Sequence, residues 1–351
     1  MLTRYGRLGA SSRLRTLAYH PWLEQSRIEV AVQSLHSDEY LRTLYTRRTR
    51  RAVSVVRSYW RRLEYILALR SIDIIWLEKE LWPFVPAGME ELLLKRKAPY
   101  IVDIDDAIFH KYDRHRSAIV RNALGRKLDR LFAGAALVTA GSGYLEARAK
   151  AAGAKWVERV PTVVDLTSYR VVPRPAADRC TIGWIGSPST QQYLDTIRPV
   201  VKQLVSTGRF RFVTVGASFA EPLFSGHEQW PWSEDTEAKQ VAEFDIGVMP
   251  LPDTPFERGK CAYKLIQYMA CGIPVVASPV GANRDIVRHG ENGFLAATLD
   301  EWKGALCRLA DSPSLRHMMG AAGRADIEMR YSIQIMGPRV ADLILQVSKM
   351  R

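Results

Sequence analysis

Along the chain, apolar runs of strand length alternate with segments whose apolar positions recur at the helical period. In the first half Ile28–Val32, Ile72–Leu77, Tyr100–Ile104 and Ala136–Ala140 read as strands, each beside a plausible helix. In the second half Thr181–Ile185, Arg211–Val215, Asp245–Met249 and Pro274–Ala277 do the same, separated by helical stretches such as Thr190–Val205 and Cys261–Cys271. This alternation predicts a parallel α/β sheet in each half. The pattern restarts after Asp165, and Val171-Val172-Pro173-Arg174-Pro175 reads as an extended linker, because proline keeps its predecessor out of the helical region. A last periodic segment, Ile335–Val347, has no strand after it and must pack on something already built. Only Met1-Leu2-Thr3 precede Arg4, so either the first strand is unusually short or the start lacks a few residues.

Composition narrows the class without choosing a function. The 351 residues are 47% hydrophobic and 25% charged, which suits two packed domains and excludes a largely disordered or collagen-like chain. No run approaches the ~18 apolar residues of a spanning helix, and Arg4, Gly6 and Arg7 stand where a signal peptide would have its apolar core, so a cytoplasmic protein is expected. Cys180, Cys261, Cys271 and Cys307 show neither disulfide nor zinc spacing and read as small apolar residues. The net charge of +13 is uneven: residues 1–170 hold 30 Lys and Arg against 18 Asp and Glu, residues 171–351 hold 20 against 19. A basic first half fits an anionic membrane surface, a phosphate-bearing acceptor, nucleic acid or a well-solvated face.

Several segments carry candidate chemistry. Gly6-Arg7-Leu8-Gly9-Ala10-Ser11-Ser12-Arg13 is a glycine-rich turn opening a helix, suited to a phosphate or to tight strand-to-helix packing. Ile182-Gly183-Trp184-Ile185-Gly186-Ser187-Pro188-Ser189-Thr190 repeats that logic in the second half. Both turns follow strands, at the end where open α/β sheets bind ligands. Lys260 and Lys264, four apart, share one helical face and can present two ammonium groups to a diphosphate. Asp103, Asp105 and Asp106 end a strand and read as pocket-lining carboxylates or as an Asp-x-Asp metal site. Arg57, Arg61, Arg62 and Arg70 flank the stripe Val53, Val56, Trp60, Leu63 and Leu67, a helix that docks on anionic lipid or packs its stripe on the sheet.

The run Lys264-Leu265-Ile266-Gln267-Tyr268-Met269-Ala270-Cys271-Gly272-Ile273-Pro274-Val275-Val276-Ala277-Ser278, followed by Gly281 and Gly290-Glu291-Asn292-Gly293-Phe294-Leu295, resembles family four of the retaining glycosyltransferases. The resemblance extends loosely to Gly6–Arg13 as the N-terminal glycine loop and to Val160–Asp165 as a hinge strand. It implies a GT-B fold of two facing Rossmann-like domains with parallel sheets: an acceptor domain 1–168, a donor domain 169–332, and a C-terminal helix, 333–351, crossing back to the first. Gly6, Gly9, Gly186, Ser187, Trp232, Gln267 and Gly281 are then expected at the donor, Trp232 on the nucleotide base or else packed in its loop. Lys260, Lys264, Asp105 and Asp106 are expected at the reacting centre, and His110 and Arg13 toward the acceptor. Relatives carry two glutamates where this chain has Gly259 and Gln267; Glu257 is the candidate replacement.

The implied activity is a metal-independent, retaining hexosyl transfer from a nucleotide-diphosphate sugar to a lipid-linked, polysaccharide or other cell-envelope glycan. The donor's own phosphate takes the acceptor proton, and no cofactor is required. The expected partners are the nucleotide sugar, that acceptor and an anionic membrane at the inner face of the cell membrane, not nucleic acid. A catalytically silent GT-B scaffold, an epimerase or phosphorylase on the same fold, and a basic nucleic-acid binder remain as other classes.

Overall fold

The computed structural model describes residues 1–47, 52–173 and 178–350. Arg174 and Pro175 of the expected linker lie outside the described residues. The chain divides into two compact units: Met1–Thr162 with Arg258–Cys261 and Met336–Arg351, and Val163–Glu257 with Ala262–Ile335. The division falls at Thr162/Val163 rather than at 168 because Val164 bridges to Ser332 and Asp165 accepts a hydrogen bond from Gln334, both within the second unit. The last helix, Ile333–Ser348, enters the first unit from Met336.

The first unit holds β1 (Leu2–Thr3), β2 (Gln33–Ser34), β3 (Ile75–Glu78), β4 (Tyr100–Ile104), β5 (Leu137–Ala140) and β6 (Val157–Arg159). The second holds β7 (Cys180–Ile185), β8 (Phe210–Val215), β9 (His227–Trp230), β10 (Ile246–Met249), β11 (Val275–Ala277) and β12 (Gly293–Leu295). Both sheets are parallel, in the orders β2-β1-β3-β4-β5-β6 and β12-β11-β10-β7-β8-β9. Each is doubly wound, so each has a switch point where connections leave in opposite directions: between β1 and β3, and between β7 and β10.

Ile28–Val32, expected as a strand, is not one; pairing begins only at Gln33 and is two residues long. Thr190–Val205 divides into a 3₁₀ turn, Gln191–Thr196, and a helix, Arg198–Ser206, with Pro199 in its first turn. The helix expected to begin at Cys261 begins at Tyr263, because Ala262 takes a left-handed φ of 52° and Arg258–Cys261 belongs to the first unit. In the second sheet Val213, Val275 and Ala277 enter one apolar cluster while Phe210, Phe212 and Val276 enter another, which is period-two alternation with both faces buried. Gly183 and Gly247 are required there: a Cβ would meet the ring of Phe244 at 2.0 Å and of Tyr268 at 2.3 Å. The four cysteines are free thiols, Cys261 and Cys271 buried and Cys180 and Cys307 partly so.

Candidate nucleotide-sugar site

In the first unit, the carboxyl ends of β1, β3 and β4 gather charges that neutralise one another. Arg15, buried, grips Asp103 with two nitrogens at 3.1 and 2.6 Å and donates to Val160 O; Thr139 completes Asp103. Lys79, in a left-handed conformation after β3, reaches Asp105 at 2.8 Å and Ser11 Oγ at 3.0 Å. Burial alone would raise Asp105, but Lys79 and Arg15 outweigh it and hold its carboxyl at about 2. Glu78 fastens the glycine turn, accepting from Arg4 N at 2.9 Å and Ser12 Oγ at 2.6 Å.

The turn itself differs from a phosphate loop. Leu8 N–H donates to the carboxylate of Asp38, which also crowds Gly6, and Gly9 lies under Tyr5, where a Cβ would come within 2.4 Å of another carbon. The helix it opens, Ala10–Arg15, has six residues. Arg13 is buried and donates to Arg7 O. Both ring nitrogens of His110 are engaged, Nδ1 with Asp113 and Nε2 with Tyr144 OH, each at 2.8 Å. Asp106, partly exposed, lies 3.6 Å from Lys260. Gly259 closes on Ala107, whose Cβ would be 2.4 Å from an added one, so no glutamate fits at that position; Cys261 donates to Asp105 O.

The second unit presents an open crevice at its switch point. A cleft of about 550 Å³ is lined by Gln192, Tyr193, Asp195 and Thr196 after β7 and by Pro252, Thr254, Phe256 and Glu257 after β10. Glu257 accepts from Tyr193 OH at 2.7 Å and from the Thr254 hydroxyl. Gly186 ends β7; a Cβ there would strike the Trp184 ring at 2.4 Å and Lys264 Cε at 2.9 Å, so the glycine lets Lys264 lie across the turn, its Nζ 5.3 Å from the Trp184 ring centre. Ser187 N–H donates to Thr190, and Ser187 Oγ pairs with Ser189 Oγ at 2.8 Å. Gly281, at φ 52°, forms the turn after β11.

Trp232, half-buried after β9, stands beside Gly216, where a Cβ would lie 3.0 Å from Trp232 Cβ and 2.4 Å from Gly186 O. Its indole N–H donates to Glu237 Oε2 at 2.7 Å; Tyr169 OH donates to Glu237 Oε1 at 2.9 Å and accepts from Gln267 Nε2 at 2.6 Å. Gln267, expected at the donor, is thus buried with its nitrogen committed to Tyr169. Sequence reasoning missed Lys79, Arg15, Tyr193, Tyr169 and Glu237. Glu78-Lys79-Glu80 gave a signal, charges closing an apolar run as Asp103–Asp106 do; the others gave none.

Of the two readings of the helix Ala52–Ala68, packing of its apolar stripe on the sheet is not what is seen. Arg62 and Ile66 are fully buried, Arg62 donating to Thr3 O, Gln33 O and Gln33 Oε1. Four of the five stripe residues face outward, Val53 80%, Val56 67%, Trp60 62% and Leu67 56% exposed, while Leu63 is half-buried; Arg57 and Arg61 are also exposed. Among the described residues no helix is long and apolar enough to cross a membrane, and no group of three His, Cys, Asp or Glu side chains is placed to hold a metal.

Residues 179–312 match the glycosyl transferases group 1 family. Over 80 residues the chain is 34% identical to a GDP-mannose-dependent monoacylated alpha-(1-6)-phosphatidylinositol monomannoside mannosyltransferase of Corynebacterium glutamicum, a stretch covering 22% of this chain and only 21% of that one. Among solved structures, HepE of Anabaena in complex with UDP superposes with a TM-score of 0.71 at 15% identity, covering 98% of both chains. Sucrose-phosphate synthase of Thermosynechococcus elongatus gives 0.69 at 16%, covering 85% of this chain and 79% of that one. A glycosyltransferase of Rickettsia africae gives 0.66 at 13%, covering 99% and 97%. The fold is GT-B, with two Rossmann-like units.

Proposed function

We propose that this chain is a glycosyltransferase that takes a sugar from a nucleotide-diphosphate donor bound by its second unit. The observation that carries this reading is Lys264 laid across the Gly186 turn that ends β7, on the switch-point side of the sheet where the crevice lined by Tyr193 and Glu257 opens. A fixed ammonium group there stabilises the diphosphate as its leaving charge develops. By resemblance to its family the transfer retains configuration, the donor phosphate taking the acceptor proton on the same face, so the protein contributes orientation and charge. Transfer without a divalent ion is supported by what holds the aspartates, since Asp103 and Asp105 are already paired with Arg15 and Lys79; activity should persist in EDTA.

The acceptor in this reading is a lipid-linked or polysaccharide glycan, met at an anionic membrane surface. The outward stripe of helix Ala52–Ala68, with Arg57 and Arg61 beside Trp60, supports peripheral docking. Arg62 belongs to the interior and not to that surface. Arg57→Gln with Arg61→Gln should reduce sedimentation with anionic liposomes at low salt; equal pelleting with neutral lipid would refute the charge contribution. The activity is tested by a thermal-shift panel of nucleoside diphosphates followed by transfer assays with the matching sugars. Absence of any shift overturns the donor reading, and binding without transfer would mark a silent GT-B scaffold.

A further inference from the structure

The chain Gln267–Tyr169–Glu237–Trp232 is a continuous run of buried or half-buried hydrogen bonds that links the helix Tyr263–Ala270 to the indole after β9. Its members come from three segments of the second unit, 98 residues separating the first pair, 68 the second and only five the third. Glu237 is buried, both its oxygens are engaged, and one of them holds the only N–H of the Trp232 ring. An indole clamped at that edge cannot rotate freely about its side-chain torsions, and the half-buried residue packs against the apolar core of the second unit with its Cβ beside Gly216, next to the Gly186 turn. Aromatic faces stack on any nucleobase, and the affinity gained is larger when the ring is held in place before the base arrives, because less ordering remains to be done.

We propose that Glu237 is a positioning residue for the nucleoside part of the donor, setting the Trp232 ring for the base, and that Gln267 is neutral because Glu237 already supplies the carboxylate to their shared tyrosine. This rests on the donor reading given above. A second carboxylate at 267 would face the Tyr169 hydroxyl opposite Glu237 in a buried site, where like charges repel strongly. The Gln267 amide instead donates to the Tyr169 hydroxyl, which faces Glu237 and Tyr263 as its other partners.

The prediction separates base from phosphate. Calorimetry compares uridine and guanosine diphosphate with inorganic pyrophosphate, which has no base, using the full chain. Glu237→Ala and Trp232→Phe should each weaken the tighter-binding nucleoside diphosphate about tenfold and leave pyrophosphate unchanged. Glu237→Gln, which keeps an acceptor for the indole, should stay within about threefold of wild type. In the Trp232→Phe background, Glu237→Ala should add no further loss. Gln267→Glu should weaken nucleoside-diphosphate binding, and Glu237→Gln with Gln267→Glu should restore it. The proposal is overturned if Trp232→Phe binds normally, if Glu237→Ala weakens pyrophosphate equally, or if the charge exchange does not rescue. Failure of wild type to bind either nucleoside diphosphate would instead remove the donor reading on which it rests.

Discussion

In the second unit the apolar residues of β8 and β11 alternate between two clusters, one on each face of the sheet, whereas in the first unit β3 and β4 carry fully buried carboxylates. Glu78 and Asp103 lie inside β3 and β4, Lys79 and Glu80 directly follow β3, and Arg15, Arg4 and Lys127 arrive from elsewhere to match them. Lys127 is fully buried between Glu80 at 2.7 Å and Glu90 at 2.8 Å. An apolar contact tolerates a neighbour of similar size, but a buried ion pair needs both partners and leaves an uncompensated charge when one is removed. The first sheet is therefore the one most exposed to single substitutions.

The largest expected effect tests that contrast directly. Arg15→Ala strands Asp103 and should destabilise the first unit by about 3–5 kcal/mol, while Val276→Ala in the second sheet should cost about 2 kcal/mol. Urea titrations read by hydrogen exchange in β4 and β11 measure both, and a costlier Val276→Ala would undo the contrast. Next is ligand affinity. Lys264→Ala should lose about 1.5–3 kcal/mol of nucleoside-diphosphate binding. Lys260→Ala should lose little, because Lys260 precedes the helix that carries Lys264 and belongs to the first unit, where Asp106 lies 3.6 Å away; calorimetry showing equal losses would refute this ordering.

The second unit has its own titration. His227 sits among Phe212, Phe219 and Phe224, and burial pulls its imidazole down to about 4. The unfolded chain binds this proton more readily, so the associated stability is complete above pH 6.5 and is lost as pH falls toward 4, by about 2 kcal/mol. Thermal melts at pH 7.5 and 4.5 should show a smaller acid loss in His227→Gln, and an unchanged loss would discharge the histidine from this role. The smallest effect is Tyr268→Phe, about 1 kcal/mol, since the hydroxyl accepts Ile185 N–H at 3.0 Å where β10 offers no ladder partner; a denaturation midpoint equal to wild type would mean that water takes its place.

The central strands were legible in the amino-acid pattern, and β4 has the bounds expected for it. The strands not foreseen, Val157–Arg159, His227–Trp230 and Gly293–Leu295, are all sheet edges, as is β2, whose position was misjudged. An edge strand has one neighbour and is open on its other side, so it lacks the apolar run that betrays a central one. Lys264 and Gly186 could be found because both lie in motifs continuous along the chain. Glu237 and Tyr169 could not, since they meet Gln267 only through the fold. Gly259 and Gln267 looked like two losses, but one is a steric requirement beside Ala107 and the other half of a hydrogen-bonded pair.

The return of Met336–Arg351 to the first unit has a consequence for how the protein is made. Gly337 lies against the ring of Trp22, where a Cβ would come within 2.4 Å of it, so a surface built by the earliest residues is covered by the latest. At about 5–20 residues per second, a ribosome takes roughly ten to thirty seconds to make the intervening second unit. Throughout that time the nascent first unit carries an uncovered aromatic face. A chain stopped after the second unit would therefore have one finished half and one unfinished half, and it would be the older half that a chaperone or protease recognises.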